Sequence, residues 1–222
     1  MSSRERILGA LRGRAARPFP DVTPPTGYRS VVPVDDPSPG GLRRRFIDEA
    51  RRAGCVVHEA SSAAAGVAIV LGLIGGDTAI SSWELGHIPL PGLAAALDGA
   101  GVVRVGQDAA VRVGLTGADA ALAATGSVVL LSGPGQPRAA SLLPPVHVAV
   151  VAAGRIVPDL ESWWVARAAD PTAIRQPSSV VVITGPSRTA DIERVLTIGV
   201  HGPSRLVVVV HDGDGANPEV MP

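Results

Sequence analysis

Residues Leu206-Val207-Val208-Val209-Val210 are apolar at every position. Successive side chains of a strand point to opposite faces, so a strand with one wet face alternates apolar and polar, and an unbroken apolar run marks one covered on both sides. VVVIT at 180–184 reads the same way. Such strands need layers above and below them, and between the apolar runs the chain returns repeatedly to helical spacing. Helices are expected over 42–53, 63–73, 92–97, 118–123, 160–168 and 189–196. Strands are expected over 55–58, 78–83, 102–105, 111–115, 127–131, 147–151, 179–183 and 205–210. Alternation of this kind specifies an α/β fold, a three-layer sandwich around a mainly parallel sheet.

A chain of 222 residues can bury about 70–75% of its unfolded surface in one core, without disulfide or metal support. Ahead of that core, Ser2 or Ser3 can cap a short helix with Ile7, Leu8 and Leu11 on one side and arginines on the other. Seven prolines between Pro18 and Pro39 then rule out a helix over 18–41. The organisation expected is a helix and Pro-rich arm over 1–41, an α/β domain over 42–212, and a loose tail over 213–222.

All twenty basic residues are arginine, which removes Schiff-base lysines, the Walker A lysine and any lysine base. Cys55 is the only cysteine, so this chain alone cannot hold an ordinary iron–sulfur cluster, a disulfide or a cysteine-based zinc site. Five histidines show no HxH or HExxH spacing, and no metal site is expected. A net charge of zero argues against general nucleic-acid binding. The apolar runs are too short or too broken by glycine to span a membrane, and a cytoplasmic protein is expected.

Three polar turns follow predicted strands, where parallel sheets gather ligands. They contain Thr116, Gly117 and Asp119; Ser132, Gly133, Gly135, Gln136 and Arg138; and Thr184, Gly185, Ser187 and Arg188. Each joins a hydroxyl to a glycine that admits backbone N–H groups, and two carry an arginine able to grip a carboxylate or phosphate with two bonds. A shared site for a small organic anion is one reading. The other is helix capping by the hydroxyls and turn geometry by the glycines. Candidate acids, bases or nucleophiles are Glu84, His147, Glu193 and His201. Ser132 lacks the Gly-x-Ser-x-Gly elbow of a serine hydrolase, and Gly133-Pro134-Gly135 is no dinucleotide fingerprint.

The stretch GLTGADAALAATGSVVLLSGPGQPRAASLLPPVHVAVV, with GRIVPDLE and ITGPSRTADIERVLTIGVHGPSRLVVVV after it, resembles the LutC/YkgG family of LUD-domain proteins, the third component of a lactate-utilisation system. The resemblance is close over about 111–210 and extends earlier only in the order of elements. It implies a NagB/RpiA/CoA-transferase-like fold. It also implies an accessory role in oxidising L-lactate to pyruvate, without a complete activity of its own, beside iron–sulfur partner subunits that would carry the clusters this chain cannot. The alternative is a free-standing CoA-transferase-like or phosphometabolite enzyme. CoA transferases use a glutamate nucleophile, which Glu84 supplies if it faces a cleft, whereas the lysine of the sugar-phosphate isomerases is missing.

Overall fold

The computed structural model describes residues 2–13, 33–106, 108, 110–170, 173, 176–189 and 197–212. Helix α1 (Ser3–Gly13) starts with a capping box. The Glu5 N–H donates to Ser2 Oγ (3.2 Å), and the Ser2 N–H donates to Glu5 Oε2 (2.7 Å). Residues 18–32 of the arm, the tail over 213–222 and 190–196 of the predicted helix 189–196 lie outside the described residues.

Helix α2 (Pro39–Arg52) begins three residues before the expected boundary. Ser38 caps it by accepting the Gly41 N–H, and Pro39 takes the first helical position, where its missing N–H has no intrahelical partner to lose. Phe46, Ile47 and Ala50 form its buried stripe.

The core is a six-stranded, wholly parallel sheet in the order β1-β12-β7-β4-β2-β3. Its strands are β1 (Val56–Ala60), β2 (Ala79–Ser82), β3 (Val103–Val105), β4 (Val113–Gly117), β7 (Val146–Ala152) and β12 (Arg205–His211). Helix α3 (Ala63–Ile74), capped by Ser62 (Oγ accepting the Ala65 N–H), connects β1 to β2 and packs on β1, β12 and α4 (Leu93–Gly99). Leu206 is 2% exposed and Val207–Val210 are 0% exposed, each side chain contributing about 1.5–3 kcal/mol by burial.

The layer beyond α2 is not helical alone. A second sheet, β8-β5-β6-β9, comprises β5 (Ala120–Leu122), β6 (Ser127–Ser132), β8 (Ile156–Val157) and β9 (Ser179–Ile183). Helix α2 touches β1 of the first sheet and β6 and β8 of the second. Helix α5 (Leu160–Ala168) covers part of the far face through Trp163, which joins Ala120, Leu122, Val129 and Leu131 in a small separate core. Strands β10 (Arg188–Thr189) and β11 (Thr197–Ile198) form a short antiparallel pair.

Two expectations change here. The alanine-rich stretch 118–123 holds the three-residue strand β5 and no helix. Three residues between Asp119 and the turn 123–126 cannot complete a helical nucleus, while β6 and β8 offer backbone partners on both sides, Ala120 opposite Val129 and Ala121 opposite Ile156. Gly126 closes that turn at φ +66, and a Cβ there would run into the backbone of Ala50 on α2. The run at 179–183 is a strand, but not one covered on both faces, since Val180 and Val182 are 40% and 41% exposed. It lies at the edge of the second sheet. Residues 127–131 likewise belong to that sheet.

Candidate functional site

The carboxyl ends of parallel strands leave backbone groups unpaired, so ligands collect there. At the β1–β12 end Arg43 closes the edge by ion pairs to Glu59 (3.5 Å) and Asp212. The β2–β4 end is built differently. After β2 the chain turns through Trp83 and Glu84 into a 3-10 turn, Leu85–His87. That turn crosses the end of β4 because Gly117 has no side chain; a Cβ there would meet the His87 carbonyl oxygen and Pro89.

The loop after β6 folds onto this end. Gly133 and Gln136 exchange backbone bonds (3.0 and 3.4 Å) around Pro134-Gly135, with Gly135 at φ +72, the residue pattern of a type II turn. The Glu84 N–H donates to the Gly135 carbonyl (2.7 Å) and pins the turn to the sheet. Glu84 Oε2 and His87 Nε2 each lie 2.8 Å from where a Gly135 Cβ would stand, so a carboxylate and an imidazole, both exposed, converge there. Glu84 and His87 thus flank the same point of the turn, with no hydrogen bond or ion pair between them. His87 escaped the sequence reading; the available signal was its position one 3-10 turn after a carboxylate that itself follows a strand.

On the same loop, Ser132, Gly133, Gln136 and Arg138 line an open groove of about 420 Å³ with Ser178 and Ser179. Ser178 fastens it, donating from its backbone (2.8 Å) and hydroxyl (3.1 Å) to the Ser132 carbonyl. Ser179 Oγ is buried without a hydrogen-bond partner among the described residues. The Arg138 guanidinium, on the exposed first residue of the 3-10 turn Arg138–Ser141, makes no hydrogen bond or ion pair among them either. An unpaired guanidinium beside hydroxyls can hold a carboxylate or phosphate. A depression of about 500 Å³ beside β3 offers Asp98, Arg104 and backbone, but no convergent hydroxyls.

The other predicted positions are dispersed. Thr116 is buried, with its hydroxyl 2.8 Å from His147 Nε2. Burial lowers the His147 pKa to about 4, which makes it a neutral core partner and removes it as a solvent-facing acid or base. Asp119 ties α5 to β5. Its carboxylate accepts from Trp163 Nε1 (2.7 Å) and takes a two-bond grip from Arg167, whose guanidinium also lies over the Trp163 ring. Thr184 shares a hydroxyl chain with Ser127 (2.7 Å), and Ser127 with Thr125 (2.7 Å). Gly185 packs against Ala53, and Arg188 Nη2 donates to the Ala53 carbonyl (2.7 Å) at the end of α2. The Ser187 N–H donates to the Pro203 carbonyl and its carbonyl accepts the Gly199 N–H (both 2.9 Å), which brings it beside the exposed loop of His201. Glu193 lies outside the described residues.

The three turns therefore do not meet within one chain. Ser132 lies opposite Ser179, and Ser127 is bonded to Thr184, so the second and third turns sit at opposite ends of the β6–β9 ladder, about 16 Å apart at strand rise. Cys55 is buried, and burial raises its thiol pKa against weaker opposing effects of the Gly185 backbone and Arg188. Among the described residues no group of three or more His, Cys, Asp or Glu is placed to hold a metal, and no helix is long and apolar enough to cross a membrane.

Comparison with known proteins places this chain in a family. Lactate utilization protein C of Halalkalibacterium halodurans is 44% identical over 101 residues, 44% of this chain and 43% of that protein. The protein of the same name in Bacillus subtilis is 38% identical over 99 residues, 44% of this chain and 41% of the relative. The alignment thus spans less than half of these curated relatives. The crystal structure of a DUF162 family protein from Deinococcus radiodurans superposes with a TM-score of 0.59 at 26% identity, over 78% of this chain and 98% of that one. The LUD domain family matches residues 43–211, the whole α/β body from α2 to β12, and the chain belongs to that family.

Proposed function

We propose that this chain serves lactate utilisation as an accessory subunit that holds a small organic anion in the Ser132–Arg138 groove and docks on partner subunits carrying iron–sulfur clusters. The relatives named lactate utilization protein C support the pathway. The observation that carries the ligand is the Arg138 guanidinium, free of partners among the described residues beside the buried, unbonded Ser179 hydroxyl. Carboxylate and guanidinium match in geometry and charge. Helix α1 supplies a docking element, with arginines and an Ile7 that is 61% exposed.

Titration calorimetry of the full chain with L-lactate and with pyruvate tests the ligand. Arg138→Ala is expected to weaken binding by at least about tenfold, the size of one charge-assisted contact. Equal binding by wild type and variant ends the reading. Co-purification with iron–sulfur subunits, with and without residues 1–17, tests the docking; undiminished recovery moves the interface elsewhere.

A second reading draws on the convergence of Glu84 and His87 at Gly135. The chain would then be an acyl-transfer enzyme, with the Glu84 carboxylate attacking a thioester carbonyl and His87 supplying the proton to the departing thiolate. Turnover of an acyl-CoA by the purified chain, abolished by Glu84→Gln, would favour it over the accessory role.

A further inference from the structure

The four edges of the two larger sheets are treated unequally. β1 carries His58 and Glu59, the latter in ion pairs with Arg43 and Arg51. β3 carries an exposed Arg104, and β8 is two residues long with Pro158 directly after it. Charges, proline and brevity all discourage edge-to-edge pairing. β9 has none of these. It is Ser-Val-Val-Val-Ile, bonded to β6 on one side and to no strand among the described residues on the other, with Val180 and Val182 exposed on the face that α5 only partly covers.

We propose that β9 pairs with β9 of a second copy of this chain, antiparallel about a two-fold axis at Val181. The strand is self-complementary in that register. Val181 faces Val181 of the second copy, Val180 faces Val182, and Ser179 faces Ile183. The exposed valines cover one another and no like charges meet. Two four-stranded sheets join into one of eight. A five-residue ladder is small against the roughly 1,000 Å² of a stable specific interface, so the dimer is weak and concentration-dependent.

The pairing has a consequence for the groove. The same register sets Thr184 of the second copy opposite Ser178, which lines the groove. The third turn, which a single chain holds at the far end of β9, thereby comes beside the second. This consequence rests on the anion-site reading, whereas the pairing itself rests only on the strand edge.

Sedimentation equilibrium of the full chain tests the pairing. Wild type is expected to show reversible monomer–dimer exchange into the upper micromolar range. Val180→Lys/Val182→Lys should weaken association more than about tenfold with unchanged far-ultraviolet circular dichroism, and mixing it with Val180→Glu/Val182→Glu should restore dimers. A wild type that stays monomeric, or a lysine variant that dimerises as well as wild type, overturns the proposal. Should the lysine variant not fold, hydrogen exchange of wild type decides. The β9 peptide is expected to exchange more slowly at high than at low protein concentration, and exchange independent of concentration overturns the pairing. Anion titration is scored separately, so loss of the groove reading leaves the dimer result intact.

Discussion

Strands β12 and β9 are written in almost the same letters, RLVVVVH and SVVVI, and end in opposite surroundings. β12 lies between β1 and β7, parallel to both, with Leu206–Val210 buried. β9 runs antiparallel to β6 at the border of the second sheet, with alternate valines half in water. A valine run therefore declares a strand and leaves its address to the connections. Residues after β11 deliver β12 into the middle of a parallel sheet, whereas 176–178 bring β9 back along the outside of a hairpin partner. Exposed valine on an edge is a surface awaiting cover; buried valine in a central strand is the core itself.

The sharpest way to break that contrast is to put a charge into each strand. Val208→Asp places a carboxylate where the native residue is fully buried. It is expected to cost more than about 4 kcal/mol, enough to leave little folded chain. Val182→Lys, on the wet face of β9, should change stability by less than about 1 kcal/mol. Urea denaturation followed by circular dichroism compares them, and similar losses would mean that β9 is as enclosed as β12.

The same contrast explains what could be read from the chain and what could not. Helix α5 and strand β9 fall on their expected bounds because local periodicity and turn residues mark them. The division of strands between two sheets was not legible, since pairing depends on contacts distant in sequence, such as Val129 with Val182. Helix propensity misled at 118–123, where alanines sit in a three-residue strand because partners were available on both sides. The loop 132–138 and Glu84 were legible as polar segments that follow strands. His87 was not, because its meeting with Gly135 is made by Gly117 letting one segment cross another. The polarity of the three turns was visible, but not their separation, which follows from β6 and β9 being antiparallel.

A smaller effect probes the centre of the parallel sheet through His147, which lies on β7 beside β12, opposite Leu206. The unfolded chain takes up a proton on this residue near pH 6.5, and the folded chain only near pH 4, because burial disfavours the imidazolium. Between those values the unfolded state binds more protons. Stability is therefore full above about pH 6.5 and declines as the pH falls towards 4, by roughly 3 kcal/mol at most. His147→Gln should flatten that part of the stability–pH profile while leaving groups outside the core to titrate as before. A profile unchanged by the substitution would mean that the imidazole is hydrated.

The smallest effects separate the two ends of β9. Arg188, just beyond its carboxyl end, donates to the Ala53 carbonyl, where a cation also meets the negative end of the α2 dipole. Being exposed, it contributes little, and Arg188→Ala should cost about 0.5 kcal/mol while leaving anion titration unchanged, because its guanidinium is engaged at α2. Arg138, near the amino end of β9, makes no hydrogen bond or ion pair with a described residue, so Arg138→Ala should leave the melting temperature where it is and remove binding instead. Thermal melts and calorimetry on the two variants form a crossed comparison. If Arg188→Ala also abolished binding, the ends of the ladder would have to serve one ligand. A single chain holds them too far apart for a small anion to bridge, so that outcome would require the second copy.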